Sequence, residues 1–115
     1  MKFYMLYEGS CHCNSVIFEV NTKLENIKQC NCSICIRKGS KMALIHKDKF
    51  RLISGQENLS VYQFGTLVAK HFFCNKCGIY THHFRKSDPS GMGVNTGCLN
   101  EVDPFKLKAE VLDNK

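Results

Sequence analysis

Eight cysteines in 115 residues, and the way they group, limit what this chain can fold into. Seven of them fall in three motifs: Cys11-His12-Cys13, Cys30-Asn31-Cys32-Ser33-Ile34-Cys35 and Cys74-Asn75-Lys76-Cys77-Gly78. Thiols are individually reactive, and burial alone seldom selects so many. Disulfides are the first alternative to consider. The apolar run from Phe3 to Tyr7 is cut by Glu8 and Gly9, short of a signal-peptide core, so the expectation is a cytoplasmic protein with reduced thiols. A bond between Cys11 and Cys13 would also close a ring too tight for the usual Cα separation. Zinc bound by thiolates is the better explanation.

The motifs divide between two ions. Alternate residues of an extended chain point to one side, so Cys11 and Cys13 offer both sulfurs to the same metal. Cys74 to Gly78 reads as a zinc-knuckle turn, in which glycine lets the backbone fold back beneath the ion. Together Cys11, Cys13, Cys74 and Cys77 make a four-cysteine structural zinc. It would tie an N-terminal hairpin to residues roughly 60 positions further on, so that metal affinity becomes folding free energy. Cys30, Cys32 and Cys35 supply three corners of a second site from one short segment. If its fourth corner takes water or a substrate thiol, the ion is reactive, lowering the pKa of the thiol and presenting it as a nucleophile. If Cys98 closes it, the site is structural; Cys98 also fits as a small buried hydrophobe. Two zinc ions per chain are expected, and they would bring the formal charge from +6 to roughly +3.

The rest of the chain reads as mainly β. Segments 16–20, 42–45, 49–53, 60–64 and 68–73 are short, rich in β-branched and aromatic residues, and read as strands. Residues 105–111 alternate apolar with polar side chains and suggest a half-exposed edge strand. One helical turn is predicted over Ile34 to Lys38, capped by Ser33 and ended by Gly39. An apolar fraction of 43% suffices for one core, and no linker or repeat interrupts it, so residues 1–115 are expected to form a single domain. No stretch approaches the ~18 apolar residues of a membrane span.

Histidines and basic residues remain. His12, His46 and His71 read as packed or surface side chains. His82 and His83 are candidates for acid or base work, since one of the two must face the interior if Ile79 to Phe84 is a strand. Arg37, Lys38, Lys41, Lys47, Lys49 and Arg51 follow the three-thiol motif closely. They form either a solvated face, an anion-binding rim for the carboxylates of a small thiol such as glutathione, or a contact surface for nucleic-acid phosphate. Arg37, Lys38 and Lys41 are the candidates for carboxylate contacts. Phe50 alone interleaves the run with an aromatic ring, which argues against single-strand stacking.

Gly9-Ser10-Cys11-His12-Cys13-Asn14-Ser15-Val16, Cys30 to Cys35 and His71-Phe72-Phe73-Cys74-Asn75-Lys76-Cys77-Gly78, in this order, resemble the glutathione-dependent formaldehyde-activating enzyme family, which also includes centromere protein V. The resemblance runs from about Gly9 to Asn100. It implies a β-tent fold of packed antiparallel sheets, a structural zinc on Cys11, Cys13, Cys74 and Cys77, and a second zinc on Cys30, Cys32 and Cys35. It also implies a carbon–sulfur lyase activity, adding glutathione or a related thiol to formaldehyde or a small aldehyde. Residues 79–84 and 93–99 resemble the branch containing centromere protein V. The alternative is a non-catalytic zinc module that binds protein or nucleic acid through residues 37–51.

Overall fold

Alternating burial sorts the chain into strands. In chain order they are β1 (Met5–Ser10), β2 (Ile17–Thr22), β3 (Ile27–Cys30), the helical turn α1 (Cys35–Lys38), β4 (Met42–His46), β5 (Phe50–Ser54), β6 (Leu59–Tyr62), β7 (Lys70–Cys74), β8 (Tyr80–Phe84), β9 (Gly91–Asn95) and β10 (Glu110–Leu112). The computed structural model describes residues 3–85 and 88–113; Met1, Lys2, Lys86, Ser87, Asn114 and Lys115, part of the domain expected over 1–115, lie outside the described residues.

Two sheets result. β1, β2 and β5 form a three-stranded antiparallel sheet with β2 central. In β2, Phe18, Val20 and Thr22 are buried while Ile17, Glu19 and Asn21 stay partly exposed, the pattern of a strand with one face on a core. The other sheet has seven strands in the order β10-β3-β4-β9-β8-β7-β6, and only the β10–β3 pair is parallel. Phe18 and Val20 meet Met92 and Val94 of β9, with Cys98 and Leu99 completing the buried cluster. Burying side chains of this size stabilises by about 1.5–3 kcal/mol each. The expectation of a mainly β protein of packed, largely antiparallel sheets therefore holds.

Two local expectations are corrected, and one strand is added. Residues 105–111 do not run as one strand. Pro104 has a fixed φ and no N–H, and Asp103 accepts a hydrogen bond from the Phe105 N–H at 3.0 Å, so Pro104–Lys106 forms a 3₁₀ turn. Only Glu110–Leu112 extends, at the sheet edge, where Lys28 pairs with Glu110. Ser33 does not cap the helical turn; Ile34 occupies that position without a side-chain bond, and Gly39 ends the turn at φ 64° as predicted. β9 carried no strand signal in the sequence, because Gly91 and Gly93 have no β preference.

Candidate metal centre

The hairpin β1–β2 and the pair β7–β8 each end in a cysteine-bearing turn, and the sheets bring these turns together. Cys11 and Cys13 follow β1, Cys74 closes β7 and Cys77 lies in the knuckle after it. All four Sγ atoms lie within 4.8 Å of one another, and the Cys11–Cys13 and Cys13–Cys74 separations are both 3.7 Å. A tetrahedral zinc with bonds of about 2.3 Å requires sulfur–sulfur edges of about 3.8 Å. The observed spacing fits. The Val16 N–H donates to Cys11 Sγ and the Lys76 N–H to Cys74 Sγ, each at 3.3 Å, contacts that a thiolate accepts better than a thiol. Gly78, at φ 79°, lets the knuckle close with its N–H on the Cys74 carbonyl.

Without a cation such a cluster cannot ionise throughout. Burial pushes the Cys11 thiol up to about 11. Cys77 is pulled down to about 6: desolvation opposes this, and hydrogen bonds from the Ile79 and Cys13 backbone outweigh it. A divalent ion among the sulfurs removes the conflict by keeping all four as thiolates.

The second cluster is built by one turn. Cys30 ends β3, Cys35 begins α1, and the Ile36 N–H on the Cys32 carbonyl at 2.9 Å closes the segment between them. Cys30, Cys32 and Cys35 have their Sγ atoms within 4.8 Å of one another, and each is partly exposed. Burial, with Cys32 alongside, pushes Cys35 up to about 12. Cys32 is opposed by its own burial but held below the ordinary thiol value by hydrogen bonds from Cys35. Here too the donor set fits a thiophilic divalent ion. Cys98 is elsewhere: it sits in the 3₁₀ turn Thr96–Cys98, is buried in the core, and donates its S–H to the Tyr80 carbonyl at 3.5 Å.

A bulge in β8 decides where the histidines go. Phe72 pairs with His82 and Phe73 with Tyr80, so Thr81 is an extra residue and the facing of side chains changes across it. His82 turns into the core. It is 3% exposed, stacks on Phe72 at 4.6 Å, and shares a hydrogen bond with Thr81 Oγ1 at 2.8 Å. His83 takes the other face together with Tyr80, whose hydroxyl is 2.6 Å from His83 Nδ1. His71 pairs with His83 across the strands and stacks on it at 5.6 Å. Lys38 reaches this face from α1, its Nζ 2.6 Å from His71 Nδ1. Burial, together with the Lys38 charge, holds His71 down at about 4. Sequence reasoning missed His71 and Tyr80 as neighbours of the second cluster. His12 and His46 are exposed.

Burial also pulls His82 from 6.5 to about 4, which has a consequence for stability. Its folded pKa lies below the unfolded one, so its contribution is fully present above pH 6.5 and is lost as the pH falls towards 4. Lowering the pH from 7.5 to 5.5 is expected to cost on the order of 1 kcal/mol through this residue. His82→Phe keeps the ring stacking and should lose that much less over the same interval in urea unfolding. Equal losses in both proteins would show that His82 is not held neutral by the fold.

The profile of the glutathione-dependent formaldehyde-activating enzyme family matches residues 6–114. The chain belongs to this family. A crystal structure of a Rhodobacter sphaeroides protein superposes with a TM-score of 0.88 at 42% identity, covering 91% of this chain and 99% of that one. A Halomonas elongata protein named "Putative glutathione-dependent formaldehyde-activating enzyme" is 33% identical over 82 residues, 64% of this chain and 52% of that protein. The chain thus spans about half the length of this curated relative.

In this member of the formaldehyde-activating family the basic run does not form one face. Lys41 is committed to the carbonyls of Pro104 and Leu107, at 2.9 and 2.6 Å, and holds the chain before β10 in place. Arg51 pairs with Glu19 at 2.8 Å, and Lys49 lies over the Tyr4 ring. Arg37 stays exposed, donating to the Ser33 carbonyl at 2.6 Å, and lines a groove of about 290 Å³ with Ser33, Ile34, Tyr62 and Phe64. Ser33 and Ile34 are part of the Cys30–Cys35 turn, so groove and thiol cluster adjoin. Among the described residues no helix is long and apolar enough to cross a membrane.

Proposed function

We propose that the chain adds a small thiol, glutathione or a related compound, to formaldehyde or another small aldehyde, and that the second cysteine cluster is where it does so. The observation that carries this reading is the convergence of Cys30, Cys32 and Cys35 at partly exposed positions beside a groove, while Cys98 is engaged in the core. Zinc held by Cys30, Cys32 and Cys35 would lower the pKa of an incoming thiol and so supply the nucleophile at neutral pH. The remaining work falls to the chain. Tyr62 and Phe64, stacked at 5.8 Å, offer an apolar wall for the body of the thiol. Arg37 offers a guanidinium fork to its carboxylate. In the reaction the substrate thiol gives its proton to solvent, its sulfur forms a bond to the aldehyde carbon, the carbonyl π pair moves to oxygen, and that oxygen takes a proton from water. The first cluster has a supporting role, locking together the turns after β1 and β7. Zinc-loaded protein should speed the glutathione-dependent loss of free formaldehyde, followed by NMR, well above the spontaneous reaction. A rate equal to the spontaneous one would remove this reading.

A further inference from the structure

Lys38 is left unused by that reading. It is the last residue of α1 and does not project to solvent as Arg37 does. Its Nζ lies 2.6 Å from His71 Nδ1 and 3.5 Å from the centre of the Tyr80 ring. Each of these partners is itself held. His71 is stacked between Phe64, at 6.0 Å, and His83, at 5.6 Å. Tyr80 is tied through its hydroxyl to His83, and the His83 ring rests on Gly93, where a Cβ would overlap it.

Partial removal of an ammonium from water is unfavourable, and an aromatic face offsets only part of the loss. The arrangement makes sense if negative charge lies beside it. Lys38 follows Cys35 by three positions, which on a helical turn puts both on one side. Its burial lowers its affinity for a proton, and negative charge on Cys35, Cys32 and Cys30 opposes that effect. A divalent ion with three thiolates carries roughly one negative charge, and a substrate thiolate raises this to about two. That second charge needs a partner.

We propose that Lys38 is the charge partner of an anionic sulfur bound at the second cluster, and that His71 is the positioning residue that aims the ammonium at it. The proposal rests on the reading of this cluster as a thiol site, and it assigns Lys38 to the sulfur of the substrate rather than to a carboxylate. His71 accepts one N–H of Lys38, which restricts the side chain and leaves its other N–H groups for a bound anion.

The test compares an anionic and a neutral ligand on zinc-loaded protein by titration calorimetry. The probes are 2-mercaptoethanol, a thiol with no carboxylate for Arg37, and imidazole, a neutral donor. Lys38→Met should retain both zinc ions, bind 2-mercaptoethanol about tenfold more weakly than the wild type, and bind imidazole within about twofold of it. Lys38→Arg keeps the charge and should stay within about threefold for both ligands. His71→Phe keeps the stacking but removes the acceptor, and should weaken thiol binding about threefold without affecting imidazole. Unchanged thiol binding by Lys38→Met with zinc retained would overturn the proposal. So would equal weakening of both ligands, which marks a structural role. If wild-type protein binds the thiol but does not speed its addition to formaldehyde, the reaction assigned above fails and the role of Lys38 stands. If wild-type protein binds no thiol, both fall.

Discussion

Cys74→Ser is expected to unfold the protein under conditions in which the wild type is stable. Cys74 is fully buried and packs with Cys11 and Val16 in a small cluster separate from the main core. Its sulfur is 3.7 Å from that of Cys13, 61 positions away in the chain. Structural zinc contributes about 10–16 kcal/mol of apparent binding free energy at neutral pH, as much as or more than the ~5–15 kcal/mol by which whole domains are stable. Losing one of four ligands removes a large share of that energy and leaves three thiols crowded without a full charge partner. A loss of about 5 kcal/mol would lower the melting temperature by ~20 °C or more in a chain of this length. In thermal unfolding followed by circular dichroism, the variant should melt where chelator-treated wild type melts, and further chelator should not lower it. Cys98→Ala is the control: it leaves a small cavity in the core but should not change the zinc content. Should Cys74→Ser melt within a few degrees of the wild type, the first cluster does not hold the fold together.

Cys35→Ser is expected to have the opposite profile, with activity lost and the fold kept. The three thiols of the second cluster come from six consecutive residues, so an ion there closes almost no loop and adds little to global stability. All three are partly exposed, and α1 contributes no buried residue to the core. The variant should retain one zinc of two, melt within about 5 °C of the wild type, and catalyse adduct formation at least ~100-fold more slowly. Retention of near-wild-type turnover would show that the chemistry takes place elsewhere. A melting temperature as low as that of Cys74→Ser would show that both clusters are structural.

How much of this was legible in the sequence follows from how local each signal is. The grouping of the seven cysteines was readable because two residues of an extended strand, a glycine-ended knuckle and a C-x-C-x-x-C turn each fix their geometry within a few positions. β2 was readable for a similarly local reason, since Val16 to Val20 concentrate β-branched and aromatic residues. β9 was not, because Gly91 and Gly93 carry no side chain to signal a strand, although Gly93 is the residue on which His83 rests. Residues 105–111 showed alternation, but Asp103 and Pro104 impose a turn that alternation does not register. The chain Lys38–His71–His83–Tyr80 was hidden for a different reason. It draws on α1, β7 and β8, and the extra residue Thr81 places Tyr80 and His83 on one face where strict alternation would put them on opposite faces. Of the adjacent histidines, one does face the interior, but as a stacked core side chain, and its neighbour is linked to Lys38 through His71 and Tyr80.

Zinc content and X-ray absorption at the zinc edge, before and after glutathione is added to purified protein, address the central claim most directly. The expected result is two zinc ions per chain, one with an unchanging four-sulfur shell and one whose shell gains or exchanges a sulfur when glutathione binds. Two four-sulfur shells that do not respond to glutathione would contradict the account and leave a chain with two structural metals.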